Sequence, residues 1–446
     1  MNDMSTKKIN TSVLPGFMEL LPPQQMAFNR MKSVIIDTFE QFGFLPLDTP
    51  VIERAEVLLA KAGGETERQI YQFTKGDTSL ALRFDLTVPL ARYVSEHARE
   101  ITFPFRRYHV GKVYRGESPQ KGRFREFYQC DIDIIGREKL SLVNDAEIPS
   151  VIYKVFKRLD IGQFVIRISN RKILKGLLEG LNISTDKSVE VMRIIDKIDK
   201  VGKGSVEKMM VDLGIENDTI TKIFHFLDIS GNTDEIIRAL EAMDIQNVQY
   251  RQGVDELSQV VTNVGKLGIP VSNYAIDLSI ARGLDYYTGT VYETVLSEYP
   301  EIGSVCSGGR YDNLAEMYTE QKLPGVGISI GLTRLFYQLS EAGLIKTDSS
   351  TPTKVLVVPF VSDLSQPLSI ATRLREAGIA TEVYLEEDRM KNKLAYADKL
   401  GIPFVVIIGE DEIEKGEFSV KNMRNGKQTQ VKADELLAYI ESEGSK

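Results

Sequence analysis

The chain has 446 residues, 42% hydrophobic and 26% charged, and a formal net charge of −8, which fits a soluble globular protein of about three domains. Its net negative charge excludes a protein that coats nucleic acid by bulk charge, but it is compatible with nucleic-acid binding on a local basic face. Two cysteines are too few for a disulfide framework, and the three histidines are scattered without metal-ligand spacing. No segment has the apolar length of a membrane span, and the start of the chain lacks the apolar run of a signal peptide. We therefore expect a cytoplasmic protein.

The first predicted element is a helix. Apolar residues recur at helical spacing from Gln25 to Phe42, and Gly43 is a suitable residue to end that helix. The following residues, Phe44–Glu53, favour extended structure. The prolines within them place this stretch at a sheet edge or a junction.

The next segment predicts strands around one helix. Ser79–Phe84 alternates like a strand, and a helix follows from Asp85 to about Ala98. Arg106–Arg115 and Phe124–Ile135 are two further predicted strands, separated by a short polar loop. Because a short loop joins antiparallel neighbours, we expect these two strands to pair antiparallel.

The composition changes in the middle of the chain. Leu, Ile, Lys, Glu and Asp dominate from Lys172 to Val264 with helical spacing, which predicts a helical insertion. Extended structure is expected again over Tyr274–Val295. Gly325–Gly331 then predicts a strand that runs into a helix over Leu332–Ala342.

The end of the chain predicts a separate α/β unit. Residues 346–353 are rich in Ser, Thr, Asp and Pro and are typical of a linker. Three strands that alternate with helices are predicted: a buried strand at Lys354–Pro359, and two more at Thr381–Leu385 and Pro403–Gly409. This alternation favours a small, mostly parallel sheet.

Charged side chains cluster around the predicted antiparallel pair. Arg115, Glu117, Arg123 and Arg125 lie on or beside its loop, and strand alternation puts Arg123, Arg125 and Phe127 on one face. This pattern fits either a solvated outer face or a nucleotide cradle. In a cradle, guanidinium groups would bind phosphate oxygens and the phenyl ring would lie against a purine.

A second group of polar residues lies where strands meet helices or loops: Asp85, Thr87, Gln129 and Asp133. A carboxylate and a hydroxyl there could hold an α-ammonium group, and a further carboxylate could accept an imidazole N–H. The alternative for Asp85 and Thr87 is a helix N-cap and its neighbour.

Two peptides late in the chain combine arginine, carboxylate and phenol groups with glycine: Ala281–Gly289 and Ser307–Asp312. They suit a pocket for a small charged ligand, although the glycines could mark a turn and Tyr286 or Tyr287 could be core residues. Arg334 lies in the first turn of a predicted helix, where anions are favoured, unless it is a surface arginine of an amphipathic helix. No glycine-rich phosphate loop is present, so phosphate contacts would come from arginines and a metal ion.

In combination, these motifs resemble the histidyl-tRNA synthetase family of class II aminoacyl-tRNA synthetases. Arg282–Tyr287 and Ser307–Asp312 are similar to the two peptides peculiar to the histidine enzymes. The segment from Tyr114 through Phe127 resembles class motif 2, and Gly327–Leu335 resembles motif 3. The helix through Phe42 and the strand that reaches Pro50 resemble motif 1, which forms a dimer interface in this class.

The resemblance implies an α+β fold, in which an antiparallel catalytic sheet flanked by helices is interrupted by a helical insertion and followed by an anticodon-binding α/β domain. The implied boundaries are 1–171 and 265–345 for the two parts of the catalytic domain, 172–264 for the insertion, 346–353 for the linker and 354–446 for the last domain. The implied reaction joins L-histidine to tRNA(His) with ATP and Mg²⁺, in a homodimer.

The resemblance also implies residue roles. Arg115 and Arg334 would bind ATP phosphates with Arg123 near the outer ones, Glu117 would contact the adenine edge, and Phe127 would stack on the base. The amino acid's ammonium and carboxylate ends would be held by Asp85, Thr87 and Gln129, and its imidazole ring would be surrounded by Asp133, Tyr287 and Tyr311. Arg282 would bind histidine and, with Arg115, act in catalysis by stabilising charge at the reacting carboxylate and α-phosphate.

Two segments depart from the family pattern. Gly16–Glu19 stands where the family usually has Gly-Thr-Arg-Asp, and Arg83–Thr87 is similar to the eukaryotic or archaeal version rather than the common bacterial one. Two alternatives are a regulatory paralogue that supports ATP phosphoribosyltransferase and a synthetase for another amino acid. The intact motifs and the predicted last domain argue against the paralogue, and the two histidine peptides argue against another amino acid.

Overall fold

The computed structural model describes residues 9–60, 65–118, 122–280, 286–345 and 351–444. The chain forms two compact units, one of residues 1–19 with 30–345 and the other of residues 20–29 with 346–446. Among the described residues, no helix combines the length and the apolar character needed to cross a membrane.

The amino-terminal part contains the predicted helix and the predicted antiparallel strands. Its elements are α1 (Pro22–Gln41), β1 (Leu45–Pro46), β2 (Ile52–Arg54), α2 (Ala55–Leu59), α3 (Glu65–Gln69), β3 (Gln72–Lys75), β4 (Thr78–Leu82), α4 (Thr87–Glu96), β5 (Phe105–Tyr114), β6 (Glu126–Ile135), α5 (Val143–Leu159) and β7 (Phe164–Asn170). The first helix starts earlier than predicted, because prolines are compatible with a first helical turn.

The middle of the chain is helical, as predicted. Its helices are α6 (Arg171–Gly180), α7 (Thr185–Ile195), α8 (Ile198–Val201), α9 (Lys203–Asp212), α10 (Asn217–Leu227), α11 (Thr233–Ala242) and α12 (Val248–Lys266). Helix α11 begins with a capping box between Asn232 and Glu235. Helices α6 and α12 approach closely because Gly176 faces the backbone of Tyr250, where a Cβ would lie 2.3 Å from its nitrogen.

The chain then returns to strands: β8 (Tyr274–Ile276), β9 (Thr290–Leu296), β10 (Ser304–Tyr311) and β11 (Gly325–Ile330), followed by α13 (Leu332–Glu341). The predicted continuous extended run over Tyr274–Val295 was wrong. Two strands lie at its ends, and the described residues between them, 277–280 and 286–289, form turns and irregular structure. Residues 281–285 lie outside the described part.

Eight strands form the main sheet in the order β1-β5-β6-β11-β10-β9-β7-β8. The edge pairs β1–β5 and β7–β8 are parallel, and the pairings between them are antiparallel. The antiparallel pairing of β5 with β6 runs from Phe105 opposite Ile135 to Tyr114 opposite Glu126, which confirms the predicted pair. The strands β2, β4 and β3 form a separate small sheet.

Helix α5 packs against β7, β10 and β11. Five large apolar residues of this helix are fully buried: Ile148, Val151, Ile152, Val155 and Phe156. Burial of each such side chain stabilises the fold by roughly 1.5–3 kcal/mol. In β10, Arg310 donates to Asp145 of α5. Because successive strand residues point to opposite faces, Tyr311 projects to the other side of the sheet.

The second unit has its own sheet and core. Its elements are β12 (Val355–Phe360), α14 (Ser365–Glu376), β13 (Thr381–Val383), α15 (Met390–Leu400), β14 (Phe404–Gly409), α16 (Glu410–Lys415), β15 (Glu417–Asn422), β16 (Gln428–Lys432) and α17 (Leu436–Gly444). The predicted strands β13, β12 and β14 are parallel. The antiparallel pair β15 and β16 was not predicted, although the Asn425-Gly426 dipeptide between them is a hairpin signal.

Candidate active site

A pocket of about 430 Å³ opens on the eight-stranded sheet of the first unit, and its volume suits a small-molecule ligand. The predicted site residues that line it are Asp85, Thr87, Arg115, Glu117, Arg123, Phe127, Gln129, Asp133, Tyr287, Tyr311 and Arg334. The remaining one, Arg282, lies outside the described residues. The fold therefore brings together residues that are distant in sequence.

Strand β6 supplies one wall of the pocket. Four alternating residues of this strand line it: Phe127, Gln129, Asp131 and Asp133. The neighbouring strand β11 places Ser329 opposite Asp131 and Gly327 opposite Asp133. A Cβ at position 327 would lie 2.3 Å from Oδ1 of Asp133, so glycine is required for the carboxylate to occupy this place.

Both carboxylate oxygens of Asp133 have protein partners. Its Oδ2 lies 2.6 Å from Nη2 of Arg107, and its Oδ1 accepts a 2.7 Å hydrogen bond from the Tyr311 hydroxyl. Burial raises the pKa of Asp133 to about 6, and the Arg107 charge and the Tyr311 hydrogen bond oppose that rise. Asp133 is thus a fixed carboxylate at the bottom of the pocket.

Asp85 serves helix α4 with only one of its oxygens. Its Oδ1 accepts a 3.1 Å hydrogen bond from the Val88 amide, as a capping residue would. Its Oδ2 is buried without a hydrogen-bond partner among the described residues. Burial raises the pKa of Asp85 to about 6, opposed by the Val88 hydrogen bond and by Arg115 and Arg107. The capping and ligand-binding interpretations of Asp85 are therefore compatible.

Ser329 links two neighbours on β6. Gln129 donates from Nε2 to its hydroxyl over 2.7 Å, and the same hydroxyl is hydrogen-bonded to Asp131. This leaves Oε1 of Gln129 and Oδ1 of Asp131, both buried, without hydrogen-bond partners in the described part of the chain. Together with Asp85 they give this end of the pocket three unused acceptor oxygens, which favour a ligand rich in N–H donors.

Three tyrosines form the facing wall. The rings of Tyr286 and Tyr287 lie 4.9 Å apart, and those of Tyr286 and Tyr311 lie 6.0 Å apart, both edge to face. Burial raises the pKa of all three phenols, so they stay neutral. Tyr286 is also hydrogen-bonded to Thr87. Tyr286 and Tyr287 pack against buried Ala91 and Leu314, so they belong both to the core margin and to the pocket.

The other end of the pocket is basic and aromatic. Arg115 donates from Nε to the Phe84 carbonyl over 3.1 Å, and its guanidinium lies 5.2 Å from the centre of the Phe127 ring. Arg123 lies 3.5 Å from Glu117, and its side chain is 46% exposed. It is therefore accessible to a ligand from solvent.

The placement predicted for Arg125 was wrong. Its Nε donates to the Glu117 carbonyl and its aliphatic part lies against Gly16, whereas Arg123 and Phe127 line the pocket. Strand β6 begins only at Glu126, so the side-chain alternation does not extend back through Arg125. The expected common face is lost for that reason.

Arg334 lies in the first turn of α13 and lines the pocket, as expected for an anion site at a helix start. Its Nη2 donates to the Ile302 carbonyl over 2.8 Å. That contact fixes the guanidinium against the segment before β10.

Asp131 and Arg107 are among the residues at the site that the sequence reasoning missed. Asp131 is 2% exposed, and burial raises its pKa to about 7, opposed by Arg107 and Ser329. Its place between Gln129 and Asp133 in the alternation was a signal for it. Arg107 is fully buried opposite Asp133, and only the strand register identifies it.

The pocket thus has an end with three carboxylates and three phenols and an end with arginines and an aromatic ring. The acidic end can take an ammonium group and a small ring with N–H donors. The basic end can take phosphates and a stacked base. A reaction that brings a cationic amino acid to a nucleotide would use both ends.

Comparison with known proteins gives a consistent result. The histidyl-tRNA synthetase family model matches residues 16–335, and an anticodon binding domain model matches residues 354–443. The chain is similar to a histidine–tRNA ligase of Clostridium tetani, at 57% identity over 97% of this chain and 99% of that protein. It is 47% identical to a histidine–tRNA ligase of Finegoldia magna, over 97% of this chain and all of that protein.

Solved structures agree on the fold. The histidyl-tRNA synthetase from Nostoc sp. PCC 7120 superposes with a TM-score of 0.89 at 41% identity, covering 98% of this chain and all of that one. An ATP phosphoribosyltransferase regulatory subunit/histidyl-tRNA synthetase from Bacillus halodurans has a TM-score of 0.76 at 19% identity, covering 90% of this chain and 99% of that one. At that identity the second likeness shows a shared fold alone.

Proposed function

The chain belongs to the histidyl-tRNA synthetase family, and from that membership we propose how its pocket carries out the family's reaction. The chain attaches L-histidine to tRNA with ATP, through a histidyl-adenylate, and releases pyrophosphate and AMP. The observation that supports a single active site is the pocket itself, which has an acidic end for the amino acid and a basic end for the nucleotide.

Histidine lies at the acidic end in this proposal. Asp85, Thr87 and Gln129 hold the ammonium and carboxylate groups, and the unused oxygens of Asp85 and Gln129 supply the acceptors. The residues around the imidazole ring are Asp133, Tyr287 and Tyr311. Neutral phenols suit this place because they can donate to or accept from a ring nitrogen.

ATP lies at the basic end. Phe127 stacks on the adenine, and Glu117 contacts the edge of the base. The Arg115 guanidinium, which lies over the Phe127 ring, directs its remaining N–H donors to the α-phosphate. Arg334, with the start of α13, binds phosphate, and the exposed Arg123 reaches the outer phosphates.

The chemistry requires positioning and charge neutralisation. The histidine carboxylate attacks the α-phosphorus, the bond to pyrophosphate breaks, and negative charge grows on the phosphoryl oxygens. Arg115 and Arg282 neutralise that charge, and the pocket holds the two reactants in line. The terminal ribose hydroxyl of the tRNA then attacks the mixed anhydride and AMP leaves, with the adenylate phosphate as the group that takes the proton.

Mg²⁺ enters the proposal as the partner of ATP. Within the described ranges no group of three or more His, Cys, Asp or Glu side chains is arranged to hold a metal ion. Phosphate oxygens suit magnesium, so ATP itself would supply the ligands. The ion would add positive charge at the outer phosphates.

The remaining partners follow from the domains. Residues 1–171 and 265–345 form the catalytic domain, 172–264 the insertion, and 354–446, after the linker 346–353, bind the tRNA anticodon. The enzyme works in the cytoplasm as a homodimer. In support of the dimer, Leu45 on the edge strand β1 is 57% exposed and Ile52 is 48% exposed, as expected of apolar residues that a second subunit covers.

The regulatory paralogue is the second candidate, because a fold shared with the protein from Bacillus halodurans does not by itself distinguish the two roles. Charging of tRNA distinguishes a synthetase from a regulatory paralogue. We expect the full-length protein, given ATP, labelled histidine and tRNA, to transfer the label to tRNA(His) and to need all three substrates. Folded protein that binds histidine without charging tRNA would favour the regulatory role.

A further inference from the structure

Three polar residues of the peptides Ala281–Gly289 and Ser307–Asp312 take no part in the proposed reaction: Thr288, Arg310 and Asp312. None of these three described residues lines the pocket, although neighbouring tyrosines of both peptides do. Arg310 instead points to the side of the sheet that carries helix α5, where it meets a carboxylate of that helix. A chain of contacts leads from there to Thr288 and joins the two peptides outside the pocket.

Arg310 is fixed against the first turn of α5. Its Nε donates to Oδ1 of Asp145 over 3.0 Å and its Nη2 to Oδ2 over 2.6 Å, and Nη2 also donates to the carbonyls of Leu140 and Ser141. Asp145 is fully buried. A buried ion pair adds little net stability in comparison with apolar side chains of similar size, but two hydrogen bonds from one guanidinium fix its orientation. The end of β10 is therefore held at a defined place on the helix.

Asp312 links Arg310 to residues 286–289, the tyrosine peptide. The Oδ1 atom of Asp312 lies 3.7 Å from Nη1 of Arg310, and its Oδ2 accepts a 2.5 Å hydrogen bond from the Thr288 hydroxyl. The Thr288 amide also donates to the Arg310 carbonyl over 2.8 Å. Thr288 is thus held by its backbone and by its side chain, and both contacts lead back to α5.

The tyrosine peptide carries part of one wall of the pocket. The Tyr287 ring rests on the bare backbone of β10, where a Cβ at Gly309 would lie 3.0 Å from the ring. At the end of the peptide, the Gly289 carbonyl accepts a 2.9 Å hydrogen bond from the Arg171 amide at the start of α6. Because Tyr287 and Thr288 share a peptide bond, a shift of Thr288 would move the Tyr287 ring in the pocket.

We propose that Asp312 is a positioning residue for the reaction, which sets the place of Tyr287 in the pocket by holding the Thr288 hydroxyl outside it. Arg310 and Asp145 support Asp312 from α5. This inference rests on the proposed function and deepens it, because it gives residues that touch no ligand a part in the affinity for histidine. The basic end of the pocket has no contact with this chain of residues, so ATP binding should not depend on it.

Histidine-dependent exchange of pyrophosphate into ATP tests the assignment in the full-length protein. Thr288→Val keeps the side-chain shape and removes the hydroxyl, so the KM for histidine should rise roughly three- to thirtyfold, with the KM for ATP unchanged. Thr288→Ser keeps the hydroxyl and should restore the wild-type KM. Thr221→Val is the matched control, because the Thr221 hydroxyl donates to the Asn217 carbonyl on the exposed surface of α10. An unchanged KM in Thr288→Val, or an equal rise in Thr288→Ser, would overturn the proposal.

A double substitution tests whether Asp312 and Thr288 act through one contact. Asp312→Ala alone should raise the KM for histidine to a similar extent as Thr288→Val, because each removes one side of the same hydrogen bond. The variant with both substitutions should then be no worse than either single variant. Effects that multiply in the double variant would contradict a shared contact and with it the positioning role of Asp312.

Melting temperatures separate positioning from a general loss of stability. The KM for histidine is measured at a temperature at which each variant is fully folded, and it should still rise in Thr288→Val and Asp312→Ala. Lower melting temperatures without a change in that KM would show that the contact only stabilises the fold and would overturn the inference. Failure of the wild-type protein to catalyse the exchange would refute the proposed function. Wild-type exchange with an unchanged KM in both variants would refute this inference alone.

Discussion

The Tyr311 hydroxyl donates a 2.7 Å hydrogen bond to Oδ1 of Asp133 across 178 positions of sequence. Strand β11 lies between their two strands, and it carries glycine at both crossing points. A Cβ at Gly325 would lie 2.4 Å from the Tyr311 ring, and one at Gly327 would lie 2.3 Å from Asp133. The bare backbone of β11 therefore lets the two side chains meet above it.

Removal of that hydrogen bond should weaken histidine binding. In Tyr311→Phe, Oδ1 of Asp133 loses a buried donor, which should lower stability by roughly 1–3 kcal/mol. The proposed imidazole site also loses a phenol hydroxyl, so the KM for histidine should rise about two- to tenfold. Tyr250→Phe is the matched control, because Tyr250 is equally buried and its hydroxyl donates to the Leu240 carbonyl in the insertion. The KM for histidine of both variants is measured by steady-state kinetics of pyrophosphate exchange into ATP. Equal effects of the two substitutions would contradict a role of Tyr311 in the pocket.

A side chain at position 327 of β11 should impair histidine activation more than the loss of the Tyr311 hydroxyl does. Gly327→Ala would push Asp133 and the Ile132 carbonyl away, since the added Cβ would lie 2.3 Å from each. We expect loss of histidine activation and a lower melting temperature. Gly204→Ala, which meets nothing within 4 Å in α9, should keep full activity and gain up to about 1 kcal/mol of stability. An active Gly327→Ala would show that Asp133 tolerates displacement.

Arg282 tests the charge-neutralising step. Arg282→Ala should lower the rate of adenylate formation by orders of magnitude and leave ATP binding largely intact, because the arginine acts on charge that develops in the transition state. Arg193→Ala, on the exposed surface of α7, controls for the loss of a positive charge. Single-turnover measurement of histidyl-adenylate separates the step from binding, and an unchanged rate would remove Arg282 from the mechanism.

The buried carboxylates predict a pH dependence of stability. The pKa of Asp131 rises from an ordinary 3.8 to about 7, so the unfolded chain ionises first and wild-type stability falls as the pH rises from about 4 to 7. The full effect is roughly 4 kcal/mol. Asn at this position does not titrate, so the melting temperature of Asp131→Asn relative to wild type should increase over that window without histidine. A difference that does not change with pH would be inconsistent with a raised pKa.

The site could be predicted from the sequence where residue type and alternation were sufficient. Gln129 and Asp133 share a face because β6 is a regular strand, and Arg334 follows a glycine-rich strand into a helix. Arg125 was placed wrongly because the strand starts after it. In each case the regularity of the local backbone decided the outcome.

Other features of the site depend on the strand register and on partners that are distant in sequence. Arg107 faces Asp133 only because β5 and β6 pair at one particular register, and a slip of one residue would turn its side chain to the other face. The open oxygen of Asp131 depends on Ser329, a contact made through another strand. Such pairings are properties of the folded sheet and leave no pattern in a single sequence.

This pocket is expected to activate histidine and no other standard amino acid. Amino-acid-dependent exchange of labelled pyrophosphate into ATP, measured for each standard amino acid with the full-length protein, tests that claim most directly. We expect exchange with histidine and only background with the others. Exchange with another amino acid, or none with histidine in folded protein, would contradict the claim.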